Sequence, residues 1–212
     1  MKTLIIIALV AVCFAISPPM WGGNPVYTVR VEMLNNAPVA KWNFTYYYNS
    51  NLKVERYEHE GPQTDEACYL AEGRFNKNNS CAITFATDGW MYIEYPKDNF
   101  CCKCTNSFGY IKPDWLQENS TYNGTTTING VTVDHWTKPG QYLNHYYDTV
   151  DKNLPVRFFE IKNGNPKSWD FDLKTYTTAP IDPSKFSPKC QNLCLGTCRF
   201  IKGDQAQVNL KT

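Results

Sequence analysis

From Tyr27 to Leu173 the chain repeatedly places an aromatic or aliphatic residue at every second position, and a period of two commits a chain to β-sheet. Tyr27, Val29, Val31 and Met33 alternate with Thr28, Arg30 and Glu32, while Trp42, Phe44, Tyr46 and Tyr48 alternate with Lys41, Asn43 and Thr45. Asn35-Asn36-Ala37-Pro38 between them reads as a turn, so these are the arms of an antiparallel hairpin. Leu52 to His59 is a weaker strand. Cys81, Ile83 and Phe85 lead through Asp88-Gly89 to Trp90 to Tyr95, and Asn129-Gly130 joins Thr125 to Ile128 with Val131 to Trp136. Tyr142 to Val150 and Val156 to Ile161 flank the turn Asp151 to Pro155, and Trp169, Phe171 and Leu173 form a last alternating run. The expectation is a mainly β protein of about nine strands, folded as a sandwich, a barrel or a curved sheet.

Two segments break the period. Pro113-Asp114-Trp115-Leu116-Gln117-Glu118 predicts a short helix, with proline in the first turn and aspartate just after it. Ala179 to Pro188 holds three prolines and cannot continue a sheet. It is expected to run over the surface toward the last cysteines, with Asp182 capping a short turn and Phe186 plugged into the body.

The N-terminus gives the address. Met1-Lys2-Thr3, the apolar run Leu4 to Ala15 and then Ser17-Pro18-Pro19 make a secretory signal peptide over residues 1–17. A membrane anchor needs about 20 apolar residues, and the prolines end this run too early. The expected organisation is one disulfide-stapled β domain over 18–200 and a polar tail over 201–212, in a secreted protein without a transmembrane anchor.

Of nine cysteines, all but Cys13 follow the signal: Cys68, Cys81, Cys101, Cys102, Cys104, Cys190, Cys194 and Cys198. An even set in a secreted chain predicts disulfides throughout. Zinc is the weighed alternative, but structural zinc sites favour paired CxxC knuckles, so no metal and no cofactor is expected. Connectivity stays open; sequence distance suggests that Cys68 and Cys81 close their own loop and that the middle and terminal clusters pair. Sequons at Asn43, Asn78, Asn119 and Asn123 predict a glycoprotein, with Asn43 on the polar side of its strand.

A net charge of +1, with basic residues scattered among acids, gives nucleic acid no electrostatic footing. No G-x-S-x-G, H-E-x-x-H or phosphate-cradling glycine loop occurs. Asp134 and His135 are adjacent on a strand and so point to opposite faces, where neither can orient the other. Glu94, Asp170 and Asp172 are carboxylates any β protein offers. A non-catalytic protein is therefore expected.

The residues also carry a resemblance. The double strand VDHWTKPGQYLNHYYDTVDKNLPVRFFE, the WDFDL strand and the APIDPSKFSPKC segment resemble the ependymin-related proteins. The Cys101-Cys102-Lys103-Cys104 cluster followed by IKPDWL at Ile111 to Leu116 looks more like a cysteine-rich eukaryotic branch of secreted proteins of unknown function, whose plant members are loosely labelled as transferring glycosyl groups. The resemblance spans about Cys68 to Cys198. It implies a strongly curved antiparallel sheet, a half-barrel like that of bacterial lipoprotein carriers with one or two short helices, whose apolar concave face holds a hydrophobic ligand. It also implies disulfides, N-glycans and a tendency to dimerise. Fish ependymins lack the central cysteine cluster, so their disulfide pattern and calcium affinity are not carried over.

Together these readings predict a secreted glycoprotein that binds a hydrophobic small molecule or lipid on a curved sheet, or self-associates through it. By strand parity the ligand-facing residues are Trp42, Phe44, Tyr46, Trp90, Tyr92, Trp169 and Phe171. The same residues equally suit a filled core. A structural component of an extracellular assembly and a carbohydrate-active or glycosyl-transferring enzyme are the alternatives.

Overall fold

A computed structural model describes residues 16–36, 39–61, 68, 80–106, 109–188 and 190. The residues 1–15 of the expected signal, the tail, Asn78, Cys194 and Cys198 lie outside them.

Among the described residues eleven strands form one antiparallel sheet: β1 Val26–Asn36, β2 Val39–Asn49, β3 Val54–His59, β4 Cys81–Phe85, β5 Met91–Tyr95, β6 Phe100–Thr105, β7 Thr121–Ile128, β8 Val131–Lys138, β9 Asn144–Thr149, β10 Pro155–Lys162 and β11 Asn165–Thr177. Their spatial order is β6-β5-β4-β3-β2-β1-β11-β10-β9-β8-β7. The first and last strands thus pair in the middle of an open, curved sheet, and the chain steps outward by hairpins to one edge, crosses to the other edge and steps back. The mainly β, curved antiparallel fold expected from the sequence is the observed one.

Local chemistry explains the hairpins. Asn129 and Gly130 both have positive φ, 50° and 79°, as the two central residues of a type I′ turn require. The β1/β2 register runs without a slip from Val26↔Asn49 to Asn36↔Val39.

The alternating aromatics meet across strands on one face, the inner face: Tyr27 opposite Tyr48, Val29 opposite Tyr46, Val31 opposite Phe44 and Met33 opposite Trp42. Tyr57, Ile83 and Ile93 continue that face on β3, β4 and β5, and Phe171, Trp169, Phe158, Tyr146, Trp136 and Tyr122 continue it on the other half. With Trp21, all of these but Trp42 belong to one buried core cluster or its half-buried margin among the described residues.

Three expectations are corrected. β6 is a strand that the sequence pattern did not reveal, because Phe-Cys-Cys-Lys-Cys-Thr lacks the β-branched alternation that marks strands. Residues 113–119 form consecutive turns rather than a helix, with Trp115 N donating to Lys112 O and Gln117 N to Asp114 O. Trp90 and Tyr92 face outward, because the register sets Ile83 against Ile93 and so turns Met91, Ile93 and Tyr95 inward. The short helical pieces are 3-10 turns, at Pro96–Asp98 and Pro183–Phe186.

The proline-rich segment behaves as predicted. Asp182 accepts the Ser184 backbone N–H at 2.9 Å, Phe186 is buried, and Lys185 reaches Glu58 on the outer face of β3 at 2.8 Å.

Candidate ligand-binding face

The topology forces a strap across the inner face. Because β6 and β7 lie at opposite edges, residues 109–120 traverse the sheet, and the sequence fills this passage with Tyr110, Ile111, Trp115 and Leu116. The strap is bound by directed hydrogen bonds. Trp21 N donates to Pro113 O at 2.8 Å, the Tyr48 hydroxyl donates to Ile111 O at 2.8 Å, and Ile111 N donates to Glu55 Oε2 at 3.1 Å. Trp115 meets Trp21 edge to face at 5.4 Å and Phe158 at 6.0 Å.

Glu55 is the chemical centre of this closure. It lies between Tyr48 and Phe85 on the inner face, is 2% exposed, and also accepts the hydroxyls of Tyr46 at 2.8 Å and Tyr57 at 2.7 Å. Burial raises its pKa from 4.5 to about 7, against the pull of these three donors toward the charged form. Its signal in the sequence is parity: Glu55 shares a face with Tyr57 and His59, whereas Arg56 and Glu58 point out.

A second buried carboxyl lies on β9. Asp148 is opposite Asp134 of β8; burial, then the Asp134 charge, raises its pKa from 3.8 to about 7. Asp134 accepts the Tyr122 hydroxyl at 2.8 Å. His135 points the other way, so the two neighbours form no Asp/His pair, in line with the sequence argument.

Of the seven residues expected to face ligand, Trp42, Phe44, Tyr46, Trp169 and Phe171 share the inner face. Phe44 and Tyr46 are fully enclosed. Trp169 is half-buried and is the hub of the cluster, with ring centroids 5.5 Å from Phe44, 5.7 Å from Tyr57 and 5.8 Å from Phe158. Met33 and Phe158, its cross-strand partners, are half-buried too. Beside Met33, the buried Trp42 Nε1 has no acceptor among the described residues. Trp90 and Tyr92 instead lie on the outer face beneath Lys103, whose ammonium is 4.4 Å from the Trp90 ring centre.

The outer face holds a polar cleft of about 450 Å³ between β3, β5 and the C-terminal segment. Arg56 is bonded to Glu58 and Glu94, and Lys185 to Glu58, so its charges neutralise one another. Cys68 bonds Cys81 and Cys101 bonds Cys190, as sequence distance suggested, and Cys102 and Cys104 are also disulfide-bonded. Among the described residues no group of three or more His, Cys, Asp or Glu could hold a metal ion, and no helix is long and apolar enough to cross a membrane.

Residues 63–175 match a family described as a domain of unknown function, DUF8395. No curated protein matches the chain. An uncharacterized conserved protein from Thermus thermophilus aligns with a TM-score of 0.50 at 11% identity, over 80% of this chain and 90% of that one. The lipoprotein LppX of Mycobacterium tuberculosis aligns with a TM-score of 0.39 at 8% identity, over 73% and 88% of the two chains. A LolA superfamily protein from Nitrosomonas europaea gives 0.41 at 8%, over 77% and 90%. The Thermus likeness shows a shared fold; the two lower scores carry no argument.

Proposed function

The chain belongs to the DUF8395 family, whose description names no activity, and from that premise we propose that it is a secreted, non-catalytic binding protein that takes a hydrophobic ligand on the inner face of its curved sheet. The observation that carries this reading is the half-buried run Met33, Trp169 and Phe158 on three adjacent strands, continuous with the enclosed aromatics yet itself only partly covered. A large apolar side chain left half-covered gains by burial against a ligand, at about 25 cal/mol per Å² removed from water. Trp42 Nε1 supplies a nearby buried donor for a polar end of that ligand. The separation of Asp134 from His135 and the oxidation of the described cysteines support a role without a nucleophile.

The test is uptake of a fluorescent fatty-acid probe by the purified full chain, with extraction of co-purifying lipid. Trp169→Glu is expected to abolish uptake while the near-ultraviolet circular dichroism persists. Wild-type protein that takes up no probe and carries no lipid overturns the reading.

A further inference from the structure

On the outer face, away from the aromatic cluster, β8 and β9 bring two histidines together. His135 lies opposite Tyr147 and His145 opposite Thr137, so the imidazoles are diagonal neighbours across one strand pair. His135 Nε2 and His145 Nδ1 are 3.0 Å apart, with ring planes inclined by 15° and centroids separated by 5.3 Å. Such a centroid separation with so short a nitrogen contact means that the rings meet edge to edge, each aiming a nitrogen at the other.

Both rings are held in place. Tyr147 stacks on His135 at 4.5 Å and 10°, and Phe159 meets His145 at 5.5 Å and 61°. Both histidines are half-buried, and burial lowers both pKa values, for His135 with a further contribution from His145. They are neutral near pH 7, the state in which imidazole binds metal. The nearest ionic groups in the next row, Arg157 and Asp170, are paired at 2.5 Å and neutralise one another.

We propose that His135 and His145 form a binding site for a divalent transition-metal ion, with two imidazole nitrogens as the protein ligands and water in the remaining positions. A metal bound about 2.0–2.1 Å from each nitrogen at a square or tetrahedral angle needs the nitrogens about 2.9–3.3 Å apart. The observed 3.0 Å lies inside that range. The metal takes the place of the proton between the two nitrogens, and the ring that donated this proton carries it on its other nitrogen, so that both ligands are neutral imidazoles. Two imidazoles with open positions favour copper over zinc by the usual divalent-ion order. The open positions make the site exchangeable.

The experiment is titration of the full-length protein with Cu²⁺ and, separately, Zn²⁺ at neutral pH, followed by calorimetry and, for copper, electron paramagnetic resonance. One equivalent of Cu²⁺ is expected, with hyperfine structure from two nitrogen donors, and with affinity falling as the pH drops below the ordinary histidine range. His135→Gln and His145→Gln are each expected to weaken binding by at least about tenfold, and both substitutions together to remove the two-nitrogen spectrum. Near-ultraviolet circular dichroism checks that the variants are folded, and Tyr147→Phe, which keeps the stacking ring, is expected to bind as the wild type does. Absence of binding below millimolar Cu²⁺, or a double variant that binds as tightly as the wild type, overturns the proposal and leaves the pair as a structural hydrogen bond.

Discussion

Replacing Glu55 with glutamine tests the buried centre beneath the strap. The folded state holds the carboxyl at about 7 rather than 4.5, so folding favours its protonated form. At about 1.4 kcal/mol per pKa unit the difference amounts to about 3 kcal/mol. Because the folded value is the raised one, this stability is fully present below pH 4.5 and is lost as the pH rises through 7. The amide of Glu55→Gln keeps the shape and cannot ionise. Urea unfolding of both proteins at intervals from pH 4.5 to 8 measures the effect, and the quantity of interest is the difference between the two curves. Other groups titrate in the same window, Asp148 in the same direction and the lowered histidines in the opposite one, but both proteins contain them, so they cancel. The wild type should lose about 3 kcal/mol more than the variant across the range. Parallel curves would refute the reasoning, since they would mean that the Tyr46, Tyr57 and Ile111 donors fully offset burial.

The remaining predictions concern the covering segments and the modifications. Trp115→Ala should cost about 3–5 kcal/mol in urea unfolding, because it empties the space between Trp21 and Phe158. Thiol titration of unfolded, unreduced protein purified from its own source should find essentially no free thiol, and two or more would contradict full oxidation. Peptide mapping after glycosidase treatment in heavy water should label Asn43 and one of Asn119 or Asn123; finding all three unmodified would refute this assignment of the glycans. Amide hydrogen exchange should be slower in β4 to β6, where the four strand cysteines Cys81, Cys101, Cys102 and Cys104 are bridged, than in β7 and β8.

The sequence revealed a face wherever one strand parity was apolar and the other polar. In β1 and β2 that condition holds, and Phe44 and Tyr46 lie where parity puts them. It fails in Trp90-Met91-Tyr92-Ile93-Glu94-Tyr95, where both parities carry large apolar residues because both faces are covered, one by the core and the other by Lys103. Parity cannot choose between two covered faces; only the register with β4 does. The strap escaped for another reason. Proline followed by aspartate is a helix-start signal, but the partners of these backbone groups, Trp21 and Tyr48, come from far along the chain and override it. The histidine pair needed the β8/β9 register, which turn chemistry alone does not fix to the residue.

The same topology that makes the strap necessary also makes the two halves of the inner face unequal. Toward β6, Glu55 binds the strap from below, the Cys68–Cys81 bridge fastens Cys68 to β4, and three neighbouring cysteines of β6 are oxidised. Toward β7, the strap is held mainly by Trp115 against Trp21 and Phe158, and β7 is an edge strand with a register slip between Tyr122 and Thr125 and no bridged cysteine among its residues. Met33, Trp169 and Phe158 lie on the strands between these regimes. Opening the face for a bulky ligand therefore costs least on the β7 side, where packing rather than covalent bonds holds the cover and where Phe158 touches both the strap and the Trp169 hub.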